Sequence, residues 1–415
     1  MAKRGKRKAI RVGVFGLSRG MSFARTARPA GMELVAVCDK RVQSFSEKVE
    51  DLAVTTYSDY EDFLSHDMDA VILANYFHEH APFAIKALRA GKHVMSETSA
   101  CKTPAEGVAL ARAVEKGGKI YMLAENFPFF AYNQEMRRLY RRGEIGEMQF
   151  GEGDFNHPSP AKGRNSSLGA NHWRYHIPAT YYCSHALAPI MYITDTRPVR
   201  VNALCIPYSS EQQREHIRRG DCASIILCTM DNEAVVAVLG TGLQGQRYWY
   251  RIHGTHGLME NLRTNDRDAL RIVHERWDVK KGHELETIYR PEFPVAAEAA
   301  KGAGHGGADF FTSYHFARAI RRNERPYFDV YRALDMALVG IQAYRSALQH
   351  GAPVAVPDFR KEGVRRRFSK DDRSPFPEDR RPGQPYPSVK GRIVPTKEAM
   401  AYAQKLWREK GYFGK

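Results

Sequence analysis

Two rhythms of apolar and polar positions run along this 415-residue chain. Up to about residue 126, short continuous apolar runs alternate with amphipathic stretches. The runs are Val12 to Phe15, Leu34 to Cys38, Ala70 to Ala74, Val94 with Met95, and Ile120 to Ala124. Helical spacing occupies the gaps, from Val42 to Leu52, from Phe83 to Ala90, and from Pro104 to about Lys116. Continuous apolar runs mark strands buried on both faces, and their alternation with helices predicts a doubly wound parallel sheet.

Near Gly146 the rhythm changes. Met148 to Phe155, Val199 to Leu204, Ala223 to Met230, Ala234 to Gly240, Tyr248 to Gly254 and Leu270 to Val273 all read as strands. Few helical stretches interrupt them, so a large, mostly antiparallel sheet is expected. Helices are predicted over Ala308 to Arg322 and Tyr331 to His350. Residues 357–395 carry seven prolines among many arginines, a composition that predicts an extended arm. A final helix starts after Thr396 and shows Met400, Ala403, Leu406 and Trp407 on one side, a stripe that needs a docking surface. The expected organisation is a basic tail (1–10), a dinucleotide domain (11–126), an α+β domain for substrate binding and oligomerisation (127–356), and the arm with its terminal helix (357–415). The last helices of the α+β domain are allowed to pack back on the first domain.

The first strand runs into a turn containing Gly16, Ser18, Arg19 and Gly20, and the second strand ends on Asp39, followed by Lys40 and Arg41. Strand, glycine turn, helix and a later acid form the layout of a dinucleotide site. The turn lets backbone approach a pyrophosphate, and the acid takes the ribose hydroxyls. Counted from Gly16, Ser18 and Met21 stand where G-x-G-x-x-G has its second and third glycines. Asp39 favours NAD over NADP because a 2′-phosphate would meet its carboxylate. Ligands of such sheets bind beyond the carboxyl ends of the strands. That singles out Asn75, His78 and His80 after one strand, Glu97 and Thr98 after the next, and Glu125 and Asn126 after the last.

Composition and charge remove other classes. The chain is 43% apolar and 27% charged, as in globular proteins, and no apolar run approaches the ~20 residues that span a bilayer. The net charge of +16 invites a nucleic-acid partner. However, residues 1–11 hold six basic groups and no acid, and residues 355–415 hold sixteen basic and eight acidic groups. The excess therefore sits at the two ends, which reads as solvated basic tails, with neither nucleic acid nor membrane as partner. The six cysteines lack paired metal spacing, so no metal is expected and a reduced cytoplasmic enzyme is the simplest reading.

Taken in order, several motifs resemble the Gfo/Idh/MocA family of NAD(P)-dependent sugar oxidoreductases. They are the glycine turn, Val37-Cys38-Asp39, Asp69 to Ala74, His80-Ala-Pro82, Ala90 to Val94, Gly143 to Glu147, Phe328 to Tyr331 and Val354 to Phe359. The resemblance implies an N-terminal Rossmann domain. Where that family carries Glu-Lys-Pro, this chain has Glu97-Thr98-Ser99, without the lysine that helps take the hydroxyl proton. Tyr181 stands at the aspartate of its Asp-x-x-x-His motif, and His185 matches the histidine. The NAD-dependent α-N-acetylgalactosaminidases, glycosidases of the same fold, also lack the lysine. The chain is similar to them at Glu125-Asn126, Gly151-Glu-Gly153 with His157, Trp173-Arg174, Tyr182 to Pro189 and His305-Gly-Gly-x-Asp309, and differs at Phe155, where they have a tyrosine.

That resemblance implies a tightly bound, recycled NAD and a redox-neutral glycosidase. Sugar C3 is oxidised transiently, the C2 proton is lost with the C1 substituent, water adds, and C3 is reduced again. Tyr182, His185 and His157 are the proton-transfer candidates. Tyr182 and His185 lie three residues apart and would share a face on a helical turn. Arg174, Trp173, Glu125 and His305 are expected to contact a carbohydrate or glycoside, with His305-Gly-Gly as a loop closing over it. An ordinary dehydrogenase releasing NADH is the competing enzyme reading, and an NAD-binding scaffold the non-catalytic one. A homo-oligomer, dimer or tetramer, is implied through an open sheet face of the second domain.

Overall fold

The computed structural model describes residues 9–41, 46–160, 168–169, 172–245, 247–279, 282 and 284–410. Most of the basic N-terminal tail, the start of the helix expected from Val42, and the end of the chain past Lys410 lie outside these residues. The chain divides into two compact units. The first holds the described residues up to Cys101 with Glu106–Phe130 and Phe293–Leu334; the second holds Lys102–Ala105, Ala131–Glu292 and Asp335 onward.

The first unit is built on a six-stranded, wholly parallel sheet. Its strands are β1 (Ile10–Phe15), β2 (Met32–Cys38), β3 (Thr55–Tyr57), β4 (Ala70–Leu73), β5 (His93–Ser96) and β6 (Tyr121–Leu123), in the order β3-β2-β1-β4-β5-β6. β4 is buried at every position, as a strand covered on both faces must be. The order reverses beside β1, so the ends of β1, β2 and β4 meet at the switch point where such sheets take ligands. Gly16 occupies that point. It adopts φ 90°, its N–H donates to the Cys38 carbonyl at 2.8 Å, and a Cβ there would lie 2.5 Å from the Ala74 carbonyl and the Asn75 nitrogen. A side chain at this position would collide with backbone. Gly20 lets the helix Leu17–Ala27 lie on β1, since a Cβ there would sit 2.6 Å from Val14 Cγ1. The helix-packing glycine is therefore Gly20, one residue before the position counted from the motif.

The helix Ala308–Arg322, within the 127–356 stretch whose last helices are allowed to pack back, belongs to this unit. Polar and backbone bonds explain why. Thr26 and Ser313 share a 2.8 Å hydroxyl bond, the Leu123 N–H donates to the Phe328 carbonyl, and Arg19 and Ser22 bind Asp309.

The second unit carries a nine-stranded sheet: β7 (Met148–Asn156), β8 (Pro198–Ile206), β9 (Ala223–Met230), β10 (Val235–Thr241), β11 (Arg247–Gly254), β12 (Gly257–Asn261), β13 (Leu270–Val273), β14 (Glu286–Tyr289) and β15 (Val354–Ala355). Their order is β14-β13-β12-β11-β7-β10-β9-β8-β15, antiparallel except for β7 with β10. β9 alternates buried and exposed residues, as a sheet with one solvated face does. The helix Ser184–Thr194 covers the other face of β7. Gly153 makes this approach possible, because a Cβ there would fall onto the Ala186 carbonyl oxygen.

The 357–415 segment is not a free arm. Its described part packs into the second unit, with Arg365, Ser374, Phe376, Gln384 and Ser388 all buried. Side-chain bonds replace the missing ladders of a proline-rich strand. The Ser374 N–H donates to Gln384 Oε1 at 2.8 Å, Ser388 Oγ donates to Asp221 at 2.6 Å, and Arg345 holds Asp371 with two bonds of 2.6 and 2.7 Å. The terminal helix Lys397–Glu409 begins on Thr396, whose hydroxyl accepts the Ala399 N–H. Its stripe docks on the same chain, where Ala399, Ala403 and Trp407 pack with Tyr175 and Ile217.

Candidate functional site

In the first unit the expected cofactor residues gather around the strand ends. Asp39 Oδ2 accepts the Leu17 N–H at 2.8 Å, and Oδ1 accepts the Arg41 N–H at 2.9 Å, which aims the carboxylate at the glycine turn. Ser18 and Lys40 are exposed beside it. Asn75, just past β4, has both amide atoms buried without a protein partner. His80 is 1% exposed and its Nδ1 lies 3.0 Å from the Ser99 carbonyl. A carbonyl only accepts, so Nδ1 carries the proton and Nε2 is a bare acceptor, buried without a partner. Burial lowers the His80 pKa to about 4, and the backbone bond at Ser99 only partly offsets it, so the ring is neutral at pH 7. His78 follows Asn75 on the short turn Phe77–Glu79.

A dense ionic cluster closes the other side of this end of the sheet. Asp309, 1% exposed, receives two guanidinium bonds from Arg19 (2.7 and 2.8 Å), one from Ser22 Oγ (2.8 Å) and one from Asn126 Nδ2 (2.7 Å). His305 Nδ1 lies 3.1 Å from both carboxylate oxygens. Arg19 Nε also binds Glu97 Oε1 at 2.7 Å, and Glu97 Oε2 accepts the Thr98 N–H. Burial works to raise the Asp309 pKa, but the bonds and charges of Arg19 and His305 outweigh it and hold the carboxyl well below the usual range. Desolvation works to lower the Arg19 pKa, but the charges and bonds of Glu97 and Asp309 outweigh it and raise it. Asp309 stood within a motif without a role, yet it is the hub that fixes Arg19, Asn126 and His305. Its partners are up to 290 residues away in sequence, so only its place at a helix start hinted at it.

Unpartnered Asn75 and His80 atoms, a turn without room for a side chain, and an acid held at the turn fit a dinucleotide. Glu125, fully buried, and exposed His305 also belong to this unit.

The second unit gathers the expected proton-transfer residues around Phe155, near the end of β7. Its ring centroid lies 4.6 Å from that of His185, 5.7 Å from Tyr182, 6.1 Å from His157 and 5.4 Å from Tyr248. Local structure sets each position. Tyr248 is the cross-strand partner of Phe155 on β11, which stacks the rings 12° apart. His157 follows β7, and its N–H donates to the Thr241 carbonyl at 2.7 Å. Tyr182 ends the 3₁₀ turn Ala179–Tyr182, and His185 opens the helix Ser184–Thr194. The two rings meet edge to face at 5.1 Å. The His185 carbonyl is held by the Tyr250 hydroxyl at 2.7 Å, and His157 Nδ1 lies 3.3 Å from the Tyr248 hydroxyl. Trp173 stacks on Tyr182 at 5.9 Å, with the Arg174 guanidinium 4.3 Å above the Trp173 ring. Arg174 has no carboxylate partner among the described residues, so its charge is available to a ligand. Two imidazoles and two phenols around one apolar ring can move protons and polarise a carbonyl. Tyr248, absent from the sequence candidates, sits in a strand where it reads as one more alternating aromatic. Of the expected sugar contacts, Trp173 and Arg174 join this cluster, whereas Glu125 and His305 are in the first unit. No group of metal-ligating side chains occurs among the described residues.

Comparison with known proteins follows the same division. Residues 10–125 match the NAD-binding Rossmann fold of the Gfo/Idh/MocA oxidoreductase family, and residues 133–260 match a Gfo/Idh/MocA C-terminal domain. Residues 200–365 match the C-terminal domain of glycosyl hydrolase 109. The chain is 24% identical to the alpha-N-acetylgalactosaminidase of Shewanella oneidensis over 393 residues, covering 85% of this chain and 86% of that protein. A glycosyl hydrolase family 109 protein of another Shewanella strain matches equally. Among solved structures, a levoglucosan dehydrogenase in complex with NADH and L-sorbose superposes with a TM-score of 0.73 at 19% identity, over 85% of this chain and all of that one. An oxidoreductase domain protein from Kribbella flavida gives the same score, identity and coverage.

Proposed function

The chain belongs to the Gfo/Idh/MocA oxidoreductases and carries a glycosyl hydrolase 109 C-terminal domain, and from that premise we propose that it is an NAD-dependent glycosidase working through transient oxidation of sugar C3. The observation that carries this reading is the cluster of Tyr182, His185, His157 and Tyr248 about Phe155. It supplies several proton carriers where a simple alcohol oxidation needs one.

In this reading Gly16, Ser18, Gly20 and Asp39 hold the dinucleotide's pyrophosphate and ribose, with Lys40 at the rim. Asn75, His78, His80, Glu97, Thr98 and Asn126 line its nicotinamide half, and Arg19 positions Glu97. A bound NAD would supply the hydride acceptor for oxidation of sugar C3 and the donor for its re-reduction. The chain's own residues do the rest. Tyr182 and His185 act at the C2–C3 edge, taking the C3 hydroxyl proton and then the C2 proton that the ketone has acidified. Loss of that proton expels the C1 substituent, and His157, bonded to Tyr248, hands protons to the leaving group and from the incoming water. Arg174 and Trp173 grip the sugar, with Glu125 and His305 as further contacts. One relative is named an alpha-N-acetylgalactosaminidase, and an α-N-acetylgalactosaminide is the first substrate to offer.

We place the enzyme in the cytoplasm as a homo-oligomer. Six free thiols support a reducing compartment. Leu204, Ile225, Leu227 and Val235 form an exposed apolar face across β8, β9 and β10, which supports sheet packing against a second copy. No helix among the described residues is long and apolar enough to cross a membrane.

Turnover of a panel of aryl glycosides tests the reading, with phenol release and nicotinamide absorbance followed together. Phenol release without accumulating NADH is expected. Stoichiometric NADH with an intact glycoside would make the protein a dehydrogenase instead.

A further inference from the structure

The proline-rich segment builds something that the glycosidase reading does not use. Residues from 375–407 close over residues 176–219 to form a cavity of about 480 Å³, within the range of small-molecule sites. Its lining includes three arginines, Arg219, Arg380 and Arg392, and no aspartate or glutamate. None of the three has a carboxylate partner among the described residues. Arg219 rests 3.3 Å from His176 Nε2, and Arg380 donates to the carbonyls of Gln384 and Pro385. Within the same segment Arg360, Arg365, Arg366 and Arg381 are paired with acids. The nearby acids are committed elsewhere: Asp221 accepts from Ser388 and Val389, and Glu378 and Asp379 bind Lys102.

Two further observations point to a ligand. Burial lowers the Arg219 pKa, which marks a guanidinium partly removed from water without an anion to compensate it. Trp407, which lines the cavity and is 7% exposed, has its indole N–H buried without an acceptor. The rest of the lining is apolar, with Tyr386, Ile393 and Met400 among it.

We propose that this cavity is a second binding site, for a phosphate monoester bearing an aromatic or apolar group. Three guanidiniums suit a doubly charged oxyanion with three acceptor oxygens better than a carboxylate. The rings and aliphatic side chains suit the organic part. The site touches the catalytic cluster through one short turn. Trp173 and Arg174 lie against Tyr182, while Tyr175 packs on Trp407 and His176 lines the cavity. The cavity and the aromatic cluster thus share the turn Trp173–Tyr175, whose Trp173 and Arg174 the glycosidase reading assigns to the sugar.

Isothermal titration of phenyl phosphate into the full-length protein tests this, with saturating NAD present so that the glycine turn is filled. Saturable binding is expected, tighter than for inorganic phosphate, which lacks the ring, and tighter than for benzoate, which lacks the second charge. Arg392→Gln changes an exposed side chain without an ion pair and should weaken phenyl phosphate about tenfold, the loss of one charge-assisted bond. Trp407→Phe keeps an aromatic ring in the cavity wall while removing the N–H and part of the indole, and should weaken it several-fold. No saturable binding, equal affinity for wild type and Arg392→Gln, or tighter binding of benzoate would overturn the proposal. Because the assay needs no turnover, its failure is separable from failure of the glycosidase reading.

Discussion

Replacing Asp309 by asparagine removes one charge and almost no volume. In the folded protein that carboxylate accepts two bonds from Arg19 and one each from Ser22 and Asn126. An asparagine offers one oxygen and turns an NH2 toward groups that are themselves donors. Breaking a buried ion pair on one side costs about 3–5 kcal/mol. The Arg19 side chain is 29% exposed and retains Glu97, so the lower end, about 3 kcal/mol, is expected. At roughly 2–4 °C per kcal/mol for a domain of this size, the first unit should melt about 6–12 °C earlier. Differential scanning calorimetry without cofactor reads this directly. The pH dependence follows from the sign of the shift. The folded Asp309 pKa is lowered, so the unfolded chain takes up the proton first on acidification. The Asp309 contribution is thus fully present above the ordinary carboxyl range and lost only below it, and the gap between wild type and variant should stay level from pH 8 to 5. NAD affinity should fall in parallel, since Asn126 and Arg19 lose their anchor. A melting shift under about 1 °C, or a gap that narrows between pH 8 and 6, would refute the assignment of Asp309 as an ionised hub.

Other outcomes follow from single contacts. His80→Gln should weaken NAD binding about tenfold and reduce the dependence of stability on pH by up to one proton, about 1.4 kcal/mol per pH unit, between the ordinary histidine pKa and about 4. In wild type this contribution is present at neutral pH and is lost on acidification through that window; denaturant titrations at several pH values measure it. Gly153→Ala should drive β7 away from the helix Ser184–Thr194, costing about 1–3 kcal/mol and lowering kcat more than NAD affinity, as steady-state kinetics and calorimetry would show. Leu227→Arg places a charge on the exposed sheet face and should shift light-scattering mass toward the monomer without changing the fold, whereas an unchanged mass would remove that face as an interface. Trp407→Ala should detach the terminal helix at a cost of about 3–5 kcal/mol and expose it to limited proteolysis.

Local chemistry made much of this legible beforehand. Buried parallel strands such as β4 announce themselves as unbroken apolar runs, and β9, β13 and the helix Ala308–Arg322 have the limits their spacing gives. β14 was not legible, because Glu-Thr-Ile-Tyr is short and half polar. The ionic hub was hidden for a different reason. Asp309 meets Arg19 across 290 residues, and no local pattern encodes a pair that only folding brings together. The proline-rich segment misled because proline excludes regular ladders without excluding burial. Its order comes from single side chains such as Gln384 and Ser388, each bonding a distant backbone or acid. Phe155 looked like the loss of a hydroxyl, yet the ring is the surface on which Tyr182, His185 and Tyr248 assemble.

The central claim is that a proton leaves sugar C2 during bond cleavage while the cofactor ends as it began. Cleavage of an aryl α-N-acetylgalactosaminide in D2O, with the released sugar analysed by NMR, addresses it most directly. The account predicts deuterium at C2, none at C3, and no net NADH. Release of a sugar that carries protium at C2 would contradict it.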